Sequence, residues 1–275
     1  MFRLLQIELI KLRTSRVSKV LIVGYFGLLL CIALIAAIKF DIGLFKFHLA
    51  DQGIFNFPYI WHFNTFVASW LKLFLAVIIV SMMSSEYSNK TLKQNLIDGL
   101  SKKEFILSKF LTVLLFSVVS VVFVFAVSLV LGLIYSDYDE LGIIFSDLQY
   151  FIGYFVKLVG FFSFCLFLGI LVKRSAFALG FLILWQVVEG ITAGLLYWKA
   201  EAIAPMVTRF YPLNAMSNLI KEPGSRLGAV KSAANQLGEE FTKNYDVQTL
   251  DVIIVLAWTA LFIYGSYAIL KQRDL

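Results

Sequence analysis

Four polar side chains interrupt long apolar stretches of the sequence and are its first candidates for chemistry. Lys72, Lys157, Gln186 and Glu189 each lie inside a run long enough to cross a bilayer. An ionisable group placed there costs about 2.5–3.5 kcal/mol or more, so it usually faces protein or a water-filled cavity. We expect Lys72 either to face a cavity and favour an anionic ligand, or to extend its ammonium group toward the membrane surface.

Lys157 and Glu189 lie at matching depths in neighbouring apolar runs. Lys157 is seven residues and Glu189 nine residues from the outer end of its run, and a helix rises about 1.5 Å per residue. We therefore predict a Lys157–Glu189 ion pair, with separate contacts of each charge to water or polar backbone as the alternative. Gln186 precedes Glu189 by three residues and shares its helical face. Gly190 and Gly194 form a G-x-x-x-G pair, which permits close helix packing.

The sequence lacks the short motifs that would make it an enzyme by itself. It contains no G-x-x-x-x-G-K-[ST] loop for nucleotide phosphates, and no H-E-x-x-H, G-x-S-x-G or C-x-x-C. His48 and His62 are not at metal-ligand spacing. Cys31 and Cys165 lie inside apolar runs, which favours packing roles over a disulfide or a metal site. We expect no catalytic residue, no metal site and no cofactor in this chain.

The elements that position these residues are membrane-spanning helices. Of the 275 residues, 60% are hydrophobic and 15% are charged, which excludes an ordinary soluble enzyme, a disordered tail and a secreted disulfide scaffold. Crossing a bilayer takes about 20 mostly apolar residues. Six runs qualify, and they predict an all-α integral membrane protein with a single transmembrane domain over residues 1–275: Val20–Ile38, Trp61–Met83, Phe110–Ile134, Tyr150–Val172, Ser175–Trp198 and Val252–Leu270.

The distribution of basic residues predicts the orientation. Of the 24 Lys and Arg residues, 14 lie on the side that carries both termini, eight lie on the other side, and two lie within spans. Cytoplasmic loops carry the excess of Lys and Arg. Both termini are therefore predicted to be cytoplasmic, and the net charge of +6 indicates membrane topology rather than nucleic-acid binding.

The loop between the second and third spans predicts a short amphipathic helix on the cytoplasmic face. Leu92, Leu96 and Leu100 recur every four residues and would share one face. Gly99 suits the position after a helix, and Ser101 with Glu104 forms a capping box that opens the next helix. Such a helix either docks its apolar anchors into a groove on a partner or rests on the lipid headgroups.

Amphipathic segments also occur at the N-terminus and in the longest loop. Phe2, Leu5, Leu9 and Leu12 follow helical spacing, with Glu8 at the edge of the stripe, and predict an N-terminal interfacial helix. Between the fifth and sixth spans, the extracytoplasmic loop of residues 199–251 is too long for a bare connection. Its apolar spacing predicts three helical pieces, which either cover the mouth of a pathway or form a packed cap: residues 203–210, 213–220 and 225–241.

The cytoplasmic loop carries the pattern by which the chain resembles the ABC-2 type permeases of bacterial ATP-binding-cassette transporters. That family has a Glu, a Thr-Leu pair, a Ser-x-x-Glu/Lys turn and a Gly-Lys-like start of the third span. The matching residues are Glu86, Thr91-Leu92, Ser101-Lys102-Lys103-Glu104 and Ser108-Lys109. Lys90 stands where the family usually has Gly. The six spans, the basic N-terminal segment and the long fifth loop are also similar to that architecture.

The resemblance implies that the helix around Thr91–Leu100 is a coupling helix seated in a cytoplasmic ABC ATPase subunit. The residues assigned to this coupling are Glu86, Thr91, Leu92, Asn95, Leu96, Leu100, Ser101 and Glu104. ATP and Mg would be held by the ATPase. A second permease chain, identical or related, and membrane lipid are the other implied partners, in the bacterial cytoplasmic (inner) membrane.

The resemblance also implies an activity, which is usually export of a lipid, a peptide, an antibiotic or another amphipathic cargo. Two other functions stay open on the sequence. One is a non-transporting membrane anchor or scaffold that recruits an ATPase. The other is an ion-coupled carrier or channel that uses Lys72, Lys157 and Glu189, which the absence of Pro within the predicted spans disfavours.

Overall fold

A computed structural model describes residues 2–37, 40–42, 45–47, 53–138, 140–226 and 244–273. In these residues the fold is helical apart from one short β-hairpin. The elements in chain order are α1 (Phe2–Thr14), α2 (Arg16–Ala37), β1 (Phe40–Ile42), β2 (Phe45–Phe47), α3 (Tyr59–Trp70), α4 (Lys72–Ser88), α5 (Thr91–Ile97), α6 (Lys102–Tyr135), α7 (Leu141–Ile144), α8 (Gln149–Val172), α9 (Ser175–Lys199), α10 (Ala204–Thr208), α11 (Pro212–Asn218) and α12 (Thr249–Gln272).

Within the described residues, five helices are long and apolar enough to cross a membrane, namely α2, α6, α8, α9 and α12. The predicted span Trp61–Met83 is instead a bent pair, because α3 and α4 meet at 43° around Leu71. The Leu71 N–H donates to the Ala68 carbonyl three residues back, at 3.1 Å, so the α-helical hydrogen-bond pattern is interrupted there. Counted as one span, the pair brings the number of candidate spans to six.

Helix α8 is the centre of the bundle and contacts α3, α4, α6, α9 and α12. Its sequence is apolar on every face, which is typical of a helix surrounded by others. Close approach of α12 depends on Gly160, since a Cβ atom there would lie 2.7 Å from Val255 Cγ1. Gly190 and Gly194 of α9 have no such neighbour within 4 Å, so the predicted close packing at G-x-x-x-G does not form within the described part of the chain.

Helix α1 and the end of α12 lie at one end of the bundle, which we call the terminal end. Lys102 Nζ donates to the carbonyl oxygens of Lys271 and Arg273, at 3.2 and 3.0 Å. The Arg273 guanidinium group donates to the carbonyl oxygens of Ile170 and Leu171 and so satisfies acceptors at the end of α8. The C-terminal helix is thereby fixed to the start of α6 and the end of α8.

The opposite end, the loop end, carries the β-hairpin and the short helices α7, α10 and α11. The hairpin was not predicted; its antiparallel register pairs Phe40 with Phe47 and Ile42 with Phe45. Two of the three predicted loop helices are present as α10 and α11, while residues 227–241 of the third lie outside the described residues. Arg209 Nε donates to Asp251 Oδ1 at 2.6 Å and joins this loop to α12.

Candidate functional site

Four charged side chains from three helices meet at the terminal end in what we call the charge cluster: Glu8, Lys11, Glu86 and Lys109. Lys109 Nζ lies 2.6 Å from Glu86 Oε1 and 2.7 Å from Glu8 Oε2. Lys11 Nζ lies 2.7 Å from Glu86 Oε1 and 3.6 Å from Glu8 Oε1. The cluster therefore contains two carboxylates and two ammonium groups, and its formal charges cancel.

The cluster is buried, so the stability of the fold depends on each of its charges keeping a partner. Lys109 is fully inaccessible, and Glu8 and Glu86 are 3% and 2% exposed. Removing one member of a buried ion pair typically costs about 3–5 kcal/mol, because the remaining charge loses its partner. Lys11 is the member nearest solvent. Burial lowers its pKa, but the hydrogen bond to Glu86 and the charges of Glu8 and Glu86 outweigh this, so the pKa of Lys11 is raised.

Helix periodicity explains how the cluster is assembled. On α6, Phe105, Lys109 and Thr112 follow one another on the face that packs into the bundle, and all three are buried. On α1, the inward face runs through Glu8 and Leu12. The predicted apolar stripe of α1 is therefore displaced: Glu8 points inward to Lys109, while Leu9 of the predicted stripe is 40% exposed.

The charge cluster is bonded to the start of α5. Thr91 Oγ1 donates to Glu86 Oε2 at 2.5 Å, so one carboxylate contacts α1, α5 and α6 from its position on α4. The turn between α4 and α5 passes through Lys90, whose φ of +54° is left-handed. This is the position where the resembled family usually has Gly, the residue that adopts such a φ without steric cost.

The face that α5 turns outward differs from the predicted one. Leu92 is 2% exposed, and Leu96 and Leu100 pack partly buried against the bundle core. Leu92 therefore holds α5 to its own chain, and Leu96 and Leu100 are partly covered by it. The surface that α5 presents consists of Lys93, Gln94 and Ile97, with Ile97 69% exposed.

The helix signals around α5 are confirmed. Gly99 follows the helix with a φ of +97°. The Ser101 hydroxyl accepts the Glu104 N–H at 3.2 Å, and Glu104 Oε2 accepts the Ser101 N–H at 2.9 Å, which completes the capping box. Ser101 and Glu104 are exposed, whereas Asn95 is half-buried. Helix α5 itself ends at Ile97, so it is shorter than the predicted segment Thr91–Leu100.

A second candidate site lies between the spans, in a cavity of about 650 Å³ that we call the inter-helix cavity. Lys72, Lys157 and Gln186 all line it, so three of the four intramembrane polar residues are brought together. Lys157 is 3% exposed. Lys72 Nζ lies 4.5 Å from the centroid of the Phe161 ring, a distance at which the ring face attracts the cation.

The predicted Lys157–Glu189 ion pair is wrong. Both carboxylate oxygens of Glu189 bind the start of α11: Oε1 accepts the Leu213 N–H and Oε2 accepts the Asn214 N–H, each at 3.1 Å. Oε1 also accepts Trp185 Nε1 at 2.6 Å. A carboxylate at a helix N-terminus satisfies free N–H groups and complements the helix dipole. Glu189 therefore caps α11 instead of neutralising Lys157.

Sequence reasoning did not include Glu8, Lys11 or Lys109 among the site residues. A usable signal was present for Lys109, because it shares the periodic inward face of α6 with Phe105 and Thr112. For Glu8 the signal was its position beside an otherwise apolar stripe. In the described part of the chain, no three His, Cys, Asp or Glu residues come close enough to hold a metal ion.

Comparison with known proteins gives a family but no activity. A family model described as a protein of unknown function (DUF2705) matches residues 20–275. The search of the curated proteins found no match. The match covers α2 from its fifth residue onward, all the later spanning helices, and both candidate sites except the α1 members of the charge cluster.

Proposed function

The chain belongs to the DUF2705 family, and from its own geometry we propose that it is the membrane-spanning permease subunit of an ATP-binding-cassette transporter. Its cargo would be amphipathic. The observation that carries the proposal is the attachment of a short, outward-facing helix, by a hydrogen bond, to a buried carboxylate that forms ion pairs with the neighbouring helices. Helix α5 contacts Glu86 through Thr91, and Glu86 contacts Lys109 on α6.

Helix α5 has the properties of a docking element. It presents Lys93, Gln94 and Ile97 to the surroundings while its leucines fix it to the bundle. A short helix that offers one apolar anchor between polar residues fits a groove on a partner protein. The chain carries no phosphate-binding loop of its own, so the energy would come from a separate ATPase subunit that holds ATP and Mg.

Helix α4 supplies the mechanical link between the two candidate sites. Its first residue, Lys72, lines the inter-helix cavity, and Glu86 near its other end belongs to the charge cluster. Glu86 follows Lys72 by 14 positions, which corresponds to about 21 Å of helix. Closure of the ATPase around its nucleotide would displace α5, and the cluster would transmit that displacement to α4 and α6. Nucleotide would thus bias a two-state assembly.

The proposal includes a cytoplasmic location for the terminal end, in the inner membrane of a bacterium, where basic residues concentrate. A second permease chain, identical or related, would complete the pathway, and lipid would surround it. The cavity between the spans supports transport over the alternative of a scaffold that only recruits an ATPase.

The direct test is copurification of this chain from native membranes with a cytoplasmic P-loop ATPase subunit. We expect Ile97→Asp to abolish capture, because it places a charge on the exposed anchor. Leu141→Asp is the matched control, since Leu141 is 72% exposed at the loop end. Equal capture by unaltered chain and the Ile97 variant, or no captured ATPase, would refute the proposal. ATP turnover in liposomes that responds to cargo separates a transporter from a scaffold.

A further inference from the structure

Three lysines line the inter-helix cavity, and Nζ of one of them, Lys221, donates to the Asn244 carbonyl oxygen at 2.6 Å. The other two lie on spanning helices. Lys72 opens α4, Lys157 lies in the third turn of α8, and both side chains reach the same cavity. Neither forms an ion pair in the described part of the chain, and the nearest expected partner, Glu189, is committed to α11. Glu222 lies on the cavity wall, but its Oε1 accepts the Gly224 N–H and its side chain is exposed.

The remaining walls combine polar and apolar surface. Ser69 and Gln186 contribute hydrogen-bonding groups, and Phe66 and Phe161 contribute aromatic surface. Trp70 and Leu73 line the cavity and are also 71% and 51% exposed on the outside of the bundle, so the cavity reaches the surface that would face lipid. A volume of about 650 Å³ is in the range of small-molecule sites.

These features complement one class of molecule. A lysine ammonium group binds phosphate or carboxylate oxygens through charge-assisted hydrogen bonds, and two of them suit a headgroup with a full negative charge. Apolar chains attached to that headgroup would extend from the cavity past Trp70 and Leu73 into the lipid. We propose that the inter-helix cavity binds the anionic headgroup of an amphiphile, held by Lys72 and Lys157 with Gln186 as a neutral hydrogen-bonding partner.

The identification of this amphiphile as the transported cargo rests on the proposed permease function, whereas its binding is measurable without an ATPase. The probes are dioctanoyl phosphatidate, dioctanoylglycerol and inorganic phosphate, added to the purified full chain in a non-ionic detergent. Of the three probes, we expect only phosphatidate to raise the unfolding temperature of the unaltered chain, since a ligand that binds only the folded state stabilises it. An equal shift with dioctanoylglycerol, or inorganic phosphate binding as tightly as phosphatidate, would overturn the proposal.

Variants then locate the site. We expect Lys72→Met and Lys157→Met each to weaken phosphatidate binding by about tenfold or more, as loss of a charged hydrogen bond does. Lys173→Met, at the terminal end of α8, is the matched control and should bind normally. Gln186→Leu removes a hydrogen-bonding side chain from the cavity wall and leaves both lysines in place. It should weaken phosphatidate binding less than either lysine variant does. Unchanged binding in the Lys72/Lys157 double variant would overturn the site.

The two proposals fail separately. Loss of phosphatidate binding with intact ATPase capture, or absence of binding from the start, would overturn the headgroup site and leave the permease function standing. Phosphatidate binding that depends on Lys72 and Lys157 in a chain that captures no ATPase would support the site and refute the permease function.

Discussion

Lys109 donates to Glu86 across 2.6 Å at a point where the lysine is completely buried and the glutamate is 2% exposed. The same Glu86 carboxylate also accepts from Lys11 on α1 and from Thr91 on α5. Four helices are therefore joined through a single side chain.

The first prediction concerns the ion pairs of this cluster. Lys109→Met leaves two buried carboxylates with Lys11 as their cationic partner, and we expect a loss of about 3–5 kcal/mol in the free energy of unfolding. Adding Glu8→Gln removes the surplus charge and should restore part of that loss. The measurement is denaturant unfolding in detergent. Lys93→Met, on the exposed face of α5, is the control, and strictly additive effects of the two cluster changes would contradict the prediction.

The second prediction concerns the left-handed Lys90. Glycine adopts this φ without the steric penalty that a Cβ atom brings, so Lys90→Gly should stabilise the chain by roughly 0.5–1 kcal/mol. Lys93→Gly is the matched control, because inside α5 the same change should destabilise by about 1 kcal/mol. Both values come from unfolding in detergent. A destabilised Lys90→Gly variant would show that the lysine side chain has a role beyond the turn.

The third prediction tests the separation of Lys157 from Glu189. Glu189→Gln removes a charged cap from α11 and should cost about 0.5–2 kcal/mol, as caps generally do. Lys157→Met removes a buried amino group that has no ion-pair partner among the described residues, and it should not destabilise the chain. Because the two side chains have different partners, their double variant should be additive within about 0.5 kcal/mol. A larger coupling energy between Lys157 and Glu189 would show that the two side chains do form an ion pair and would contradict the prediction.

The fourth prediction concerns orientation. In a background in which Cys31 and Cys165 are replaced by Ala, single cysteines are placed at Lys93, on α5, and at Glu201, at the loop end. A membrane-impermeant maleimide should label Glu201→Cys but not Lys93→Cys in intact cells, and the reverse in inverted vesicles. The basic residues at the terminal end provide the physical reason. The opposite labelling pattern would place α5 where no cytoplasmic ATPase can reach it.

Features set by local sequence were predictable here. The apolar runs located the spanning helices, since length and hydropathy decide whether a segment can cross. The capping box of Ser101 and Glu104 and the helix end at Gly99 were also found correctly. In the capping box and at this helix end, the interacting groups lie within four residues of one another. A short stretch of sequence therefore includes all the residues that take part.

Features set by the rotation of one helix against another were not predictable. Matching depth suggested that Lys157 meets Glu189, but depth does not fix the direction in which a side chain points, and α11 occupies the Glu189 carboxylate. The outward face of α5 was misassigned for a related reason. Its leucines could pack on a partner or on the parent bundle, and only the tertiary structure shows that Leu92 is buried by the chain itself.

The 43° break at Leu71 separates the half-span α3 from the half-span α4, which is attached to the charge cluster. Helix α3 packs against α6 and α8, whereas α4 packs against α2, α8 and α9, so in the proposed permease the two half-spans would move separately. Such a span does not have to open along its full length at once. In the permease we propose, a solute would then be admitted from one face and released at the other without a continuous leak that would dissipate the ion gradients of the cell.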